Sequence, residues 1–169
     1  SQSQDLLDRY GDNMNLVRAR GASSHNYHLN TRIAPFDNPK VRAAVYLWVD
    51  RKPFLEKAGK GIGYFGDWVN REVFNYGTPS AELLKNNLAY RDDKTEARKK
   101  AKELLAEAGY SDLSGITLRV VPWGAAASSN TDKAQIMISQ LKEMGFNANL
   151  EATSRLISLE QLVTGDFHD

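Results

Sequence analysis

Apolar residues recur at helical spacing in several separate stretches of the chain and alternate with period two in others. In residues 38–49, Val41, Ala44, Val45, Trp48 and Val49 share one face. Asn38 is placed as an N-cap and Pro39 stands at the first helical position, where its missing N–H has no intrahelical partner to lose. Asp50 can cap a second short helix, "RKPFLEKA", which tolerates Pro53 in its first turn and stops at Gly59. On this pattern Asp50 caps, Arg51 is solvated or ion-paired, and Trp48 packs. Residues 48–51 then form a joint between two helices.

The second half of the chain carries the clearest periodicity. Asp93 and Glu96 read as a capping box for a helix whose apolar face is Ala97, Ala101, Leu104, Leu105 and Ala108, with Gly109 as its stop. "ITLRVVPW" reads as a strand. "NTDKAQIMISQLKEMG" reads as a helix burying Ala134, Met137, Ile138, Leu141 and Met144, and "FNANLEA" alternates as a half-buried strand. Strand, helix and strand in that order make the building block of a parallel sheet. A last helix is predicted from a Ser158/Gln161 capping box with an Ile157/Leu162 hydrophobic staple, ending at Gly165.

The first third is less regular. "QDLLDRYGD" reads as a short amphipathic helix stopped by Gly11, and "NLVRAR" and "NYHLN" as strand-like segments. Residues 60–92, rich in glycine and aromatics, predict a long loop followed by a short helical piece in "SAELLKNN".

Composition narrows the function classes. With 22 basic and 21 acidic side chains the net charge is +1, without the basic excess of a nucleic-acid binder. No apolar run reaches bilayer-spanning length. The start lacks the regions of a signal peptide, so an exported protein would already have lost its leader. The absence of cysteine excludes disulfides, thiolate catalysis and cysteine-ligated zinc.

Candidate chemistry is sparse. Gly61, Gly63 and Gly66 have the spacing of a dinucleotide fingerprint, but that motif needs a strand before it and a helix after it. Here a helix precedes and an aromatic loop follows. His25 and His28 would point to opposite faces of a strand, with no acidic third ligand nearby. His168 lies at the chain end between Asp166 and Asp169. The three histidines form no triad signature with any serine. Arg98, Lys99, Lys100 and Lys102 read as the solvated face of their helix, with Glu96 and Lys100 spaced for an ion pair. These residues point to a non-enzymatic protein without a cofactor or a metal.

Four blocks, in order, resemble the dipeptide/oligopeptide/nickel class of ABC-transporter substrate-binding proteins, the family 5 type. They are "LNTRIAPFDNPKVRAAVYLWVDR" (29–51), "AKELLAEAGY" (101–110), "QLKEMGFNANL" (140–150) and "GDF" (165–167). The family's features in the first block match Asn30, Thr31, Pro35, Phe36, Asn38, Val41, Arg42, Ala44, Asp50 and Arg51. Trp48 departs from the pattern, which has a small residue there, and so does His168, where the family continues with Asp.

The resemblance implies an α/β chain, the C-terminal lobe of a type II periplasmic-binding-protein-like fold with a mixed sheet flanked by helices. Residues 1–169 would be a partial second lobe, the first lobe and the C-terminal remainder lying outside this chain. The implied function is to capture a peptide or similar small solute by lobe closure and deliver it to an ABC permease. The implied location is periplasmic or extracellular, either free or lipid-anchored to the membrane. A nickel or metal-chelate binder of the same family is the nearest alternative, and a small nucleotide-binding enzyme the more distant one. The implied cleft residues are Trp123 and Gly124 as an aromatic wall and a small neighbour, Ser128 and Asn130 at a helix N-terminus, and Arg155 before the last helix. An equally simple reading has Ser129 or Asn130 capping the helix.

Overall fold

The strand–helix–strand reading is the centre of the structure. The computed structural model describes residues 2–13, 25–58, 61, 63–66, 76–122, 129–151 and 153–167. Its helices are α1 (Gln2–Tyr10), α2 (Pro39–Trp48), α3 (Ser80–Asn86), α4 (Thr95–Glu107), α5 (Ser129–Met144) and α6 (Arg155–Thr164). Strands β1 (Thr117–Val120) and β2 (Asn147–Leu150) pair in parallel, with Leu118 opposite Ala148 and Val120 opposite Leu150, and α5 makes the crossover. Among the described residues these two strands are the whole sheet.

Period-two alternation decides which sheet face is buried. Leu118 and Ala148 turn inward and are buried, while Thr117, Arg119, Asn147 and Asn149 turn outward. The outer face is laced by polar rungs: Asn147 Nδ2 donates to Thr117 Oγ1 at 3.0 Å, and Arg119 pairs with Glu151 at 2.9 Å. The inner face meets a core built from Val41, Ala44, Val45 and Trp48 of α2, Ala101 and Leu105 of α4, and Met137, Ile138, Leu141 and Met144 of α5. Phe36 and Phe146 close it, their ring centroids 6.4 Å apart. Helix α5 stops at Gly145, whose φ of +116° lets its N–H turn back to the carbonyls of Leu141 and Lys142.

The joint at 48–51 is held more tightly than its sequence implies. Asn38 caps α2 through Lys40 N, and Asp50 Oδ1 accepts from Lys52 N ahead of a π-helical turn at Phe54–Ala58, both as expected. Gln140, 6% exposed, lays its amide against Asp50: Oε1 accepts from Asp50 N at 2.6 Å and Nε2 donates to Asp50 O at 2.9 Å. The Trp48 indole N–H donates to Gln140 O at 3.0 Å.

Arg51 corrects the expectation of a solvated or ion-paired side chain. Its guanidinium lies between the Tyr46 and Tyr90 rings, 4.6 and 4.4 Å from their centroids, and donates to Ala89 O at 2.7 Å and Val49 O at 3.0 Å. A planar, weakly hydrated cation suits such a slot.

Three local expectations change. Asp93 does accept from Thr95 N at 2.9 Å, but Glu96 pairs outward with Arg91 instead of reaching back, so no capping box closes. Lys100 pairs with Glu103, not Glu96. The last helix begins three residues before Ser158, capped by Ser154, whose Oγ accepts from Ile157 N at 3.3 Å. Ser158 is buried inside α6 and its hydroxyl donates to Ser154 O. Ser154 precedes the helix in extended backbone and competes successfully for the cap. Residues 25–30 carry no strand, and "NLVRAR" lies outside the described residues. The basic face of α4 is not uniformly solvated, because Arg98 lies 4.9 Å over the Trp48 ring and pairs with Glu143 at 2.9 Å.

The described part of the glycine-rich segment is tied down by Tyr90 OH, which donates to Gly66 O at 2.6 Å, and by Ser80 Oγ, which donates to Phe65 O. The π-helical turn, not a strand, precedes Gly61. The dinucleotide spacing therefore lacks the framework that would give it meaning.

Candidate functional site

In an open parallel sheet the loops that leave the carboxyl ends of the strands gather at one edge, and ligands bind there. The parallel register of β1 and β2 puts the N-terminal ends of α5 and α6 at that edge. Asn130 is the second residue of α5 and is half-buried. Arg155 is the first residue of α6 and is exposed, so the topology brings these two to one side of the sheet. Ser129 and Asn130 both lie within the first turn of α5 and not before it. Trp123, Gly124 and Ser128 lie outside the described residues, as does His168.

The structure adds residues to this edge that the sequence reading passed over. Tyr27 OH donates to the carbonyl of Lys133 in α5 at 3.0 Å. His25 Nδ1 stands 3.4 Å from Lys133 Nζ. The His25 and Tyr27 rings meet edge to face at 5.6 Å, and Tyr27 meets Phe54 at 5.9 Å. Burial, with Lys133 adding to it, pushes the His25 imidazole below its ordinary 6.5, so the ring is neutral near pH 7. Burial pushes the Tyr27 phenol well up. The signal available in the sequence was the aromatic and histidine content of "HNYHLN", but nothing in it pointed to Lys133, more than a hundred positions away.

A second feature joins two of the sequence blocks. Asn30, 7% exposed, donates through Nδ2 to Gly165 O at 3.3 Å and Phe167 O at 2.5 Å, while its Oδ1 accepts from Arg32 N at 3.1 Å. Gly165 has φ +72°, and a Cβ there would stand 2.8 Å from Arg32 Nη1. The Arg32 guanidinium thus sits at the C-terminal end of α6, where a cation is favoured. The clasp lines an open groove of about 450 Å³ together with Tyr27, His28, Arg42, Leu162 and Val163. Among the described residues no three His, Asp or Glu side chains group as metal ligands.

These contacts are side-chain bonds to backbone carbonyls and edge-to-face ring pairs. The chain is 29% identical over 144 residues to the glutathione-binding protein GsiB of Salmonella typhimurium, covering 83% of this chain and 25% of that one. Among solved structures it is similar to the periplasmic binding protein AgaA in complex with agropinic acid from A. tumefacien, at 27% identity and TM-score 0.61, covering 82% of this chain and 26% of that one. It also shares the fold of the unliganded open form of MppA, a periplasmic murein tripeptide binding protein, at 22% identity and TM-score 0.64, with 82% and 26% covered. The chain thus spans about a quarter of the length of the curated relatives it matches. The family profile described as bacterial extracellular solute-binding proteins, family 5 Middle, matches residues 1–168, and the chain belongs to that family.

Proposed function

We propose that this chain is part of the second lobe of a substrate-binding component of an ABC importer. The whole protein captures a peptide or similar small solute by lobe closure and hands it to a membrane permease. It works in the periplasm or at the outer surface of the cell membrane, where a lipid anchor would keep it near the permease. Its first lobe and C-terminal remainder belong to the same longer polypeptide.

The observation that carries this reading is the exposed apolar surface of α6 in a chain that belongs to this family. Leu156 and Val163 are 78% and 77% exposed, and Ile157, Leu159 and Leu162 are exposed beside them. An isolated ten-residue helix is marginal in water, and apolar helix faces are ordinarily buried by packing. The rest of this lobe covering α6 accounts for that exposure.

Mass spectrometry of the solute that co-purifies with the family-length protein tests the reading. A peptide or other small solute, released on denaturation and rebinding stoichiometrically, is the expected result. A family-length protein that carries no solute and shows no thermal shift with peptide pools overturns it. Calorimetry of the 169-residue chain alone should show weak or absent peptide binding; tight, saturable binding would overturn the two-lobe requirement.

A further inference from the structure

Arg32 and Arg42 both line the groove at the Asn30 clasp, and among the described residues that line it none is acidic. The Arg42 guanidinium is only partly engaged, its Nη1 donating to Phe36 O at 2.7 Å and to Asp37 O at 2.9 Å. Arg32 stands at the C-terminal end of α6, whose partial charge of about −0.5 offsets only part of one positive charge. The groove therefore keeps an excess of positive charge, carried on planar forks that suit a carboxylate. Leu162 and Val163 line the same groove and belong to the exposed apolar face of α6. We infer that this groove seats an acidic side chain flanked by an apolar one, on a further segment of the same polypeptide. This deepens the covering of α6 proposed above and rests on it.

The place of the groove in the fold selects this occupant over the solute. Ligand-facing loops gather at the carboxyl edge of β1 and β2, where α6 begins, whereas Arg32 lies where α6 ends. A helix of 10 residues, at about 1.5 Å rise each, puts roughly 15 Å between those two ends. The chain spans about a quarter of the length of its curated relatives, so a polypeptide of their length has ample further residues to cover the groove. The clasp shapes the seat: Asn30 Nδ2 holds the carbonyls of Gly165 and Phe167, and the missing Cβ at Gly165 leaves room for Arg32 Nη1. An apolar neighbour resting on Leu162 and Val163 keeps water from the ion pair and so strengthens it.

The test treats the family-length protein carrying Arg32→Lys with a water-soluble carbodiimide, which joins an ammonium to a carboxylate in contact with it. Peptide mapping should find position 32 joined to an Asp or Glu outside residues 1–169 of the same polypeptide. Arg32 is exposed in this chain. In the wild-type family-length protein freed of solute, phenylglyoxal should therefore modify Arg32 several-fold more slowly than it does in urea. A cross-link between two copies, no cross-link at position 32, or equal modification rates in the folded protein and in urea overturn the inference. So does protection of Arg32 that appears only with solute bound, which would assign the groove to the solute instead. A family-length protein that carries no solute would overturn the transport reading, and the cross-link would still decide what fills the groove.

Discussion

Replacing Gln140 with methionine tests how the two halves of the chain are joined. The Gln140 amide is buried and makes two bonds to one backbone unit, at 2.6 and 2.9 Å to Asp50 N and O. Methionine keeps the volume and helix propensity but leaves a partly buried N–H and C=O without partners. Each such loss costs about 1–2 kcal/mol, so Gln140→Met should destabilise by roughly 2–4 kcal/mol. For a chain of this size that lowers Tm by roughly 4–16 °C. Gln140→Glu separates hydrogen bonding from packing. Its carboxylate can accept from Asp50 N but cannot donate to Asp50 O, so the folded state favours the protonated acid and its pKa rises above the ordinary value of about 4.3. A raised folded pKa means stability that is present at low pH and lost as pH rises through that value. The glutamate variant should therefore approach wild type as pH falls from 7 toward 5 and fall away above. Urea denaturation at several pH values reads both effects. A methionine variant within 0.5 kcal/mol of wild type, or a glutamate variant with a flat difference profile, refutes the account.

Three further outcomes follow from other contacts. Arg51→Ala removes the tyrosine-stacked guanidinium and its bonds to Ala89 O and Val49 O, and should cost about 2–4 kcal/mol by urea denaturation; Arg51→Lys should recover less than half, since it lacks the planar fork. Asn30→Ala should cost about 1–3 kcal/mol and speed amide exchange at residues 165–167, because two carbonyls lose their donor; unchanged exchange there would count against the clasp. The Lys94 ammonium, which donates to Ala89 O, is pulled down from 10.5 to about 8, first by burial and then by Arg51. The unfolded chain then holds that proton more tightly between about 8 and 10.5, so stability should rise with pH across this window, and Lys94→Met should flatten the rise.

The sequence by itself determined the secondary structure of the second half and the parallel unit at its centre. Helical spacing in 129–144 and alternation in 146–152 are local properties, and local energetics write them directly into neighbouring residues. Four family-like blocks were legible for the same reason. What those blocks do for one another was not. Gln140 meets Asp50 across 90 positions, and Asn30 reaches Phe167 across 137. Caps were read to within a few residues, because Ser154 and Ser158 are both competent and only the backbone path chose between them.

The candidate site divides in the same way. Asn130 and Arg155 were nominated through the family resemblance, and the structure places both after strands that pair in parallel. The meeting of His25 and Tyr27 with Lys133 could not be nominated in that way, because it joins segments more than a hundred positions apart. Contacts of that span depend on how distant segments pack, so only the tertiary structure decided them.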